Sequence, residues 1–271
     1  MRIKKLNNDK FKHSSILLRQ LVVTDFKLRY QGSVLGYLWT LLKPLFLFII
    51  LYTVFVNFLK VGSDIPYFPL YLLLGIIMYN FFSEMTALSL NSIVSRGDLI
   101  SKIRIPRWII VVSASFTALI NLGINLLVVT VFMFINNVDL LQTSLLFPIV
   151  LLQLYIFSLG ISLILATAYV KYRDIGHIWD VALQGLFYLT PILYPISIIT
   201  NITYQKILLL NPLAQIVQDA RYVLITHETQ TVGSVFGNSF ARLITIVMCL
   251  LALYIGLIYF RKEAKNFAEG I

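Results

Sequence analysis

Asp174, His177 and Asp180 stand within seven residues of one another, and they are the one cluster of acids and histidine in the sequence. An enzyme working at a membrane face needs such a cluster, so one reading is a membrane-embedded enzyme acting on polyprenyl-linked sugars. Glu84 is the only acid well inside an apolar run, where an ionisable group suggests function by default: binding a cation, a sugar hydroxyl or a proton. The alternative is an interhelical hydrogen bond. Lys43 also lies inside an apolar run, either reaching back to the membrane surface or touching substrate. Metal chemistry finds little support: Cys249 is the single cysteine, and His13, His177 and His227 are scattered. The sequence contains no GxxxxGK[ST] phosphate loop, so the chain does not hydrolyse ATP by that route.

The elements that must position these residues are six apolar runs: about 38–59, 67–94, 108–135, 145–170, 178–199 and 243–260. A run of about 18 or more residues with almost no charge is long enough to cross a bilayer as a helix. The expected fold is an all-α integral membrane protein with six transmembrane helices. Hydrophobic residues make up 59% of the chain and charged residues 13%, well below the roughly 25% of soluble domains. The net charge of +10 is unevenly placed. Lysine and arginine crowd residues 1–33, the connection 95–107 (Arg96, Lys102, Arg104, Arg107), the connection 171–177 (Lys171, Arg173) and the tail 261–271. The alternate connections hold only Lys60, Lys206, Arg221 and Arg242. Cytoplasmic segments carry the basic excess, so both termini are expected inside, which requires an even number of spans. Topology and anionic membrane lipids account for the charge, and nucleic acid is not an expected partner. The first apolar run is too long for a cleavable signal core.

Residues 1–33 therefore read as a cytoplasmic N-terminus, 34–260 as the transmembrane domain and 261–271 as a cytoplasmic tail. Residues 14–30 predict an amphipathic interfacial helix, with Leu17, Leu18, Leu21, Val22, Phe26 and Leu28 opposite Arg19, Gln20, Lys27 and Arg29. It is either an anchor for the first span or also a contact for a cytoplasmic partner. Gly32 and Gly36 open the first span with small-residue spacing, and Pro44 can kink it. The segment 96–107 mixes Leu99, Ile100, Ile103 and Ile105 with Lys102, Arg104 and Arg107, and Pro106 ends it. Its apolar side chains suit a docking surface or the membrane surface. Asn121 and Asn125 share a face of the third span and suit interhelical bridging. Pro191 and Pro195 break the fifth run near the outer surface. The outer connection, about 198–238, is not polar; Asn211-Pro212 starts a helix whose apolar face carries Ile216, Val217, Ala220, Val223 and Leu224. Such a segment is expected to dip back into the membrane rim.

Four segments together resemble the permease subunits of ABC-2 type polysaccharide exporters, the O-antigen and teichoic acid exporters. They are Arg29–Trp39 through Pro44; Asn91–Val94 with Leu99 through Pro106-Arg107; Tyr172–His177; and Pro191–Pro195 with Asn211-Pro212. Each is moderately specific alone, and their shared order spans the chain from about residue 14 onward. The resemblance implies a homodimer in the bacterial cytoplasmic membrane that passes a lipid-linked glycan, carried on undecaprenyl, through a channel. It implies a separate ABC ATPase that binds ATP and Mg²⁺, with no cofactor held by this chain. Gly97, Asp98, Leu99, Ile100, Lys102, Ile103, Arg104, Pro106 and Arg107 correspond to a coupling helix seated in that ATPase, and Tyr172, Arg173 and Asp174 to a second contact. Pro191, Tyr194, Pro195, Asn211 and Pro212 correspond to outer gate segments.

The chain has 15 Tyr, 19 Phe and 3 Trp. Interface belts explain many of them, but an aromatic ring with a polar tip also suits a sugar face. Tyr37, Trp39, Tyr79, Phe81 and Phe82, with Lys43 and Glu84, are the candidate channel residues. Lys43 and Glu84 depart from the family pattern. A drug or small-molecule efflux permease and a channel without an ATPase are the competing transport readings.

Overall fold

The computed structural model describes residues 2–62, 65–102, 106–139, 142–265 and 267. Among them the chain is helical throughout, with no strand. Helix α1 runs Arg2–Tyr30, longer than the interfacial segment expected. A 3₁₀ turn, Gly36–Leu38, leads into α2 (Trp39–Tyr52), which carries Pro44 and continues as a widened π-helical stretch, Thr53–Phe58. Helix α3 spans Phe68–Ser92. A turn at Val94–Arg96 then gives the short α4, Gly97–Lys102. Helices α5 (Trp108–Ile135) and α6 (Phe147–Lys171) follow. Helix α7 covers Ile175–Leu189, and α8 (Ile202–Leu208), α9 (Pro212–Leu224) and α10 (Val232–Phe236) fill the outer connection. Helix α11, Arg242–Glu263, closes the chain. Proline near the start of α3, α6 and α9 sits where its missing N–H costs nothing.

Five of these elements are long and apolar enough to cross a membrane: 36–58, α3, α5, the stretch 142–171 and α11. They match five of the six apolar runs. The run 178–199 behaves differently. Its helix has 15 residues, about 22 Å at 1.5 Å per residue, against a hydrocarbon core of about 30 Å. It stops at Leu189 because Thr190 turns extended and Pro191 and Pro195 follow.

Helix α3 is the centre of the bundle. From Leu70 to Tyr79 every side chain is buried, as expected of a helix that is apolar all round. It packs on α2, α5, α6, α7 and α9. Helices α6 and α11 share the most extensive contact among the described residues. A Cβ on Gly256 would lie 2.5 Å from the Gly160 carbonyl oxygen, and one on Gly160 would lie 2.5 Å from the backbone at Ala252 and Leu253. Small residues thus let the two backbones touch, which is how helices gain packing energy without a hydrophobic driving force. Beyond α11, Phe267 folds back from the tail onto Phe260, with Ile93 and Val111 in the same cluster.

Candidate functional site

At one end of the bundle, α4 links the ends of α3 and α5, and residues 172–174 link α6 to α7. Gly176 packs near Leu90 and Tyr169, which sets the second connection beside the same end of α3. Asp98 is exposed, and Gly97 and Leu99 are half-buried. Pro106 is exposed, and Arg107 lies over the Phe267 ring at 6.0 Å. The side chains of Ile100 and Lys102, and Ile103 and Arg104 entirely, lie outside the described residues. Tyr172, Arg173 and Asp174 are all exposed; Lys171 caps the Tyr172 ring at 5.4 Å and Arg173 the Tyr169 ring at 5.3 Å. The two candidate coupling segments therefore share one end of the bundle.

Helix α1 packs along α5. Its inner face carries Leu17, Leu18, Leu21, Val22, Asp25 and Phe26, all half-buried. Leu28, expected on that stripe, is exposed instead. Asp25 pairs with Arg96, and Phe26 stacks on Tyr37 with ring centroids 5.0 Å apart.

The candidate channel residues divide into two groups. Tyr37, Trp39 and Lys43 are exposed at the start of α2. Tyr79, Phe81 and Phe82 are buried inside the chain's own core, at 4%, 2% and 2% exposure. Tyr79 donates its hydroxyl proton to the Leu183 carbonyl. Phe82 stacks on Phe157 at 5.6 Å and meets Trp179 edge-on at 6.1 Å. Tyr79 and Phe82 thus sit in the contact between α3, α6 and α7, and all three rings are buried within the chain's own core. Glu84 accepts a 2.6 Å hydrogen bond from Asn121 Nδ2 of α5. The Asn125 amide bonds the Asn121 carbonyl of its own helix at 2.8 Å and does not bridge to another.

The exposed face of α7 is the feature the sequence reading passed over. His177, Asp180, Gln184 and Tyr188 recur at spacings of three and four, all exposed, on one stripe of the helix. Its other side packs inward through Trp179, Leu183, Leu186 and Phe187, and the Trp179 indole donates to Thr86 Oγ1 at 3.1 Å. Of the acid cluster, Asp174 stands at the start of this helix and is exposed with His177 and Asp180. Among the described residues no group of three His, Cys, Asp or Glu side chains is placed to hold a metal ion.

The paired-proline segment and α9 come together as one unit. Asn211 caps α9 by accepting from the Leu213 N–H at 3.0 Å, while its amide donates to Thr190 Oγ1 at 3.2 Å. Pro191, Pro195 and Pro212 are buried, and Tyr194 donates to the Tyr188 carbonyl at 3.1 Å. The residue that ties this unit is Arg221, fully buried. Its guanidinium donates to the carbonyls of Tyr71 (3.0 Å), Pro191 (2.6 Å) and Ile192 (2.9 Å) and to Gln218 Oε1 (2.8 Å). It also lies 3.5 Å from the Tyr71 ring centroid. The broken backbone after α7 leaves carbonyls without helical partners, and Arg221 supplies their donors. Charge counting had treated it as a loop residue. The signal was its register: it lies on the α9 face of Val217 and Leu224.

A cavity of about 190 Å³ is walled by Ile65, Tyr71, Pro195, Gln218 and residues 228–230, among others. On the far side of α9, His227 stacks on Tyr222 at 4.7 Å, and Arg242 lies over the same ring at 5.4 Å. Burial pushes the Asp219 carboxyl up to about 6, with the Arg242 guanidinium pulling the other way.

The fold defines a multi-pass membrane protein with the α4 and 172–174 connections at one end of the bundle and a tied, helix-broken segment elsewhere. The chain belongs to the ABC-2 type transporter family, whose model matches residues 16–225. It is 29% identical over 259 residues to the O-antigen export system permease protein RfbA of Myxococcus xanthus, covering 94% of this chain and 95% of that protein. A permease of the same name from Klebsiella pneumoniae is 28% identical over 257 residues, 93% of this chain and 94% of that one. The polysialic acid transport protein KpsM of Escherichia coli is 23% identical over 257 residues, 94% and 96%.

Proposed function

We propose that this chain is the permease subunit of an ATP-driven exporter that carries a polysaccharide across the bacterial cytoplasmic membrane. Its relatives are permeases named for O-antigen export and polysialic acid transport, and they align over nearly the whole chain. The observation that carries the reading beyond the family is the α7 stripe. His177, Asp180, Gln184 and Tyr188 are exposed on a helix of an otherwise apolar bundle. Polar groups facing hydrocarbon are costly, and they belong against water or a polar partner. A stripe of amide, imidazole, carboxylate and phenol suits the hydroxyls and C–H faces of a glycan.

In this reading two copies of the chain face each other across the stripe, with Tyr37, Trp39 and Lys43 at its cytoplasmic mouth. Helix α7 and the Arg221-held segment after it together make the sixth crossing. An ABC ATPase carries ATP and Mg²⁺ and docks on α4 and residues 172–174. The cargo is a lipid-linked glycan, on an undecaprenyl-type carrier. The test is depletion of the chain followed by mass spectrometry of lipid-linked glycans in the inner leaflet. One polymer should accumulate inside and vanish from the cell surface. Intact surface polymers with no accumulation would overturn the reading in favour of small-molecule efflux.

A further inference from the structure

Asp25 and Phe26 are consecutive residues of α1 that hold two different elements. The Nη2 of Arg96, the last residue of the turn before α4, donates to both carboxylate oxygens of Asp25. The Nη1 of the same guanidinium donates to Ser113 Oγ of α5 at 3.1 Å. The pair is mostly shielded, at 16% and 27% exposure. Phe26 stacks on Tyr37 with planes 20° apart. Tyr37 belongs to the turn that opens α2 and also accepts a 2.6 Å hydrogen bond from Thr40 through its carbonyl.

The sequence shows how particular this is. Between residues 14 and 30 Asp25 is the only acid, among Arg19, Lys27 and Arg29. An interfacial helix that served only anionic lipid would gain from lysine there. The acid is instead turned inward, onto the one arginine adjoining the segment read as the coupling helix. A charge-assisted contact between guanidinium and carboxylate is strong, and in a half-buried setting the pair resists separation because either charge alone would be left desolvated.

We propose that Asp25 and Phe26 form a two-sided clasp that passes displacement of α4 to the start of α2. The proposal rests on the reading that α4 docks the ATPase. When α4 moves, Arg96 draws Asp25, and α1 shifts as a rod along α5. Phe26, one residue on, then carries Tyr37 and the mouth of the first span. Arg96 and Asp25 act as positioning residues; they touch neither nucleotide nor glycan. The interfacial helix is thus a moving part of the exporter as well as its anchor.

The experiment uses the complete exporter, chain plus ATPase, in membranes, with ATP hydrolysis, ATPase co-purification and surface glycan all measured. Asp25→Asn and Arg96→Gln should each keep the ATPase bound and hydrolysis within about twofold, yet lower export about tenfold, a size typical of coupling between contacting residues. The charge-reversed double variant, Asp25→Arg with Arg96→Asp, should recover most of the export. Phe26→Leu and Tyr37→Leu should each reduce export, and combining them should add little further loss, because both remove one contact. Single variants that export normally would overturn the clasp. So would a reversed pair no better than the single changes, or loss of the ATPase from the complex, which would make the pair a docking contact. A wild-type chain that binds no ATPase would instead bring down the functional reading on which the clasp stands.

Discussion

Arg221 shows what a single side chain can do where backbone regularity fails. Its donors meet three carbonyls and one amide oxygen, and the Tyr71 hydroxyl donates to the same Gln218 Oε1 at 3.0 Å. Gly75 leaves the space: a Cβ there would collide with Nη2 and lie 3.2 Å from Cζ. Arg221→Met would strip several buried acceptors at about 1–3 kcal/mol each, so a loss of a few kcal/mol is expected, read as a lower unfolding temperature in detergent. Arg221→Lys should recover part of it, since one ammonium cannot reach four acceptors in a fork. Gly75→Ala should resemble a mild Arg221 defect although it removes no hydrogen-bonding group. Asp219 makes a second prediction at this scale. Its folded pKa of about 6 is above the unfolded value near 3.8, so the native state takes up a proton that the unfolded chain does not between those values. Stability should therefore rise as pH falls from about 6 toward 4 and be lost as pH rises through 6. Asp219→Asn should flatten that slope in thermal melts taken from pH 4.5 to 7.5. Arg242, Tyr222 and His227 form the charged and aromatic group beside α9, so Arg242→Gln should steepen the slope by raising the Asp219 pKa further.

Among the elements, the α6–α11 contact depends on two glycines with no room for a side chain. Gly256→Ala would bring its Cβ to 2.5 Å from the Gly160 oxygen and 3.2 Å from Leu163 Cβ, so the helices must separate along their length. Lower thermal stability and greater protease access at α11 are expected for Gly256→Ala, with a larger effect for Gly256→Leu. Gly123, on α5, is the control: nothing lies within 4 Å of its Cβ position, and Gly123→Ala should be neutral or gain about 0.5–1 kcal/mol from helix propensity. Elements were also where the sequence was most legible. Nearly charge-free runs of helical length marked α3, α5, α6 and α11 to within a few residues, because length and apolarity alone decide whether a helix spans. The aromatic group Tyr79, Phe81 and Phe82 was not legible. An aromatic cluster looks the same lining a passage or filling a core, and the less buried stripe of α3, with Asn80, Ser83, Glu84 and Asn91, runs beside these rings. The α7 stripe was legible in principle, since His177, Asp180, Gln184 and Tyr188 keep helical spacing; the expectation attended instead to the acid cluster ending at Asp180. Arg221 escaped because a charge count takes every arginine between spans to be solvated.

The molecule as a whole turns on whether α7 completes a crossing. Five membrane-length helices would leave the termini on opposite sides. Yet the basic residues gather before α2, around α4, at 171–173 and after Phe260, the distribution expected of a chain with both ends inside. The two statements agree only if the 15-residue α7 and the segment to about Ile199 together traverse the membrane. The structure supplies what such a short crossing needs: carbonyls of the unwound part are satisfied by protein, through Arg221 and the Asn211–Thr190 contact, as non-helical backbone at membrane depth requires. Single cysteines at exposed Arg173, Ser197 and Lys262, placed on a Cys249→Ser background, test this in intact cells with a membrane-impermeant maleimide. Ser197→Cys should label from outside, while Arg173→Cys and Lys262→Cys should label only after the cells are opened. If positions 173 and 197 react from the same side, α7 does not cross, the span count is five, and the polar stripe lies on a membrane surface instead of along a passage. If 197 and 262 share a side, it is α11 that fails to cross, and the basic tail marks the outside of the protein.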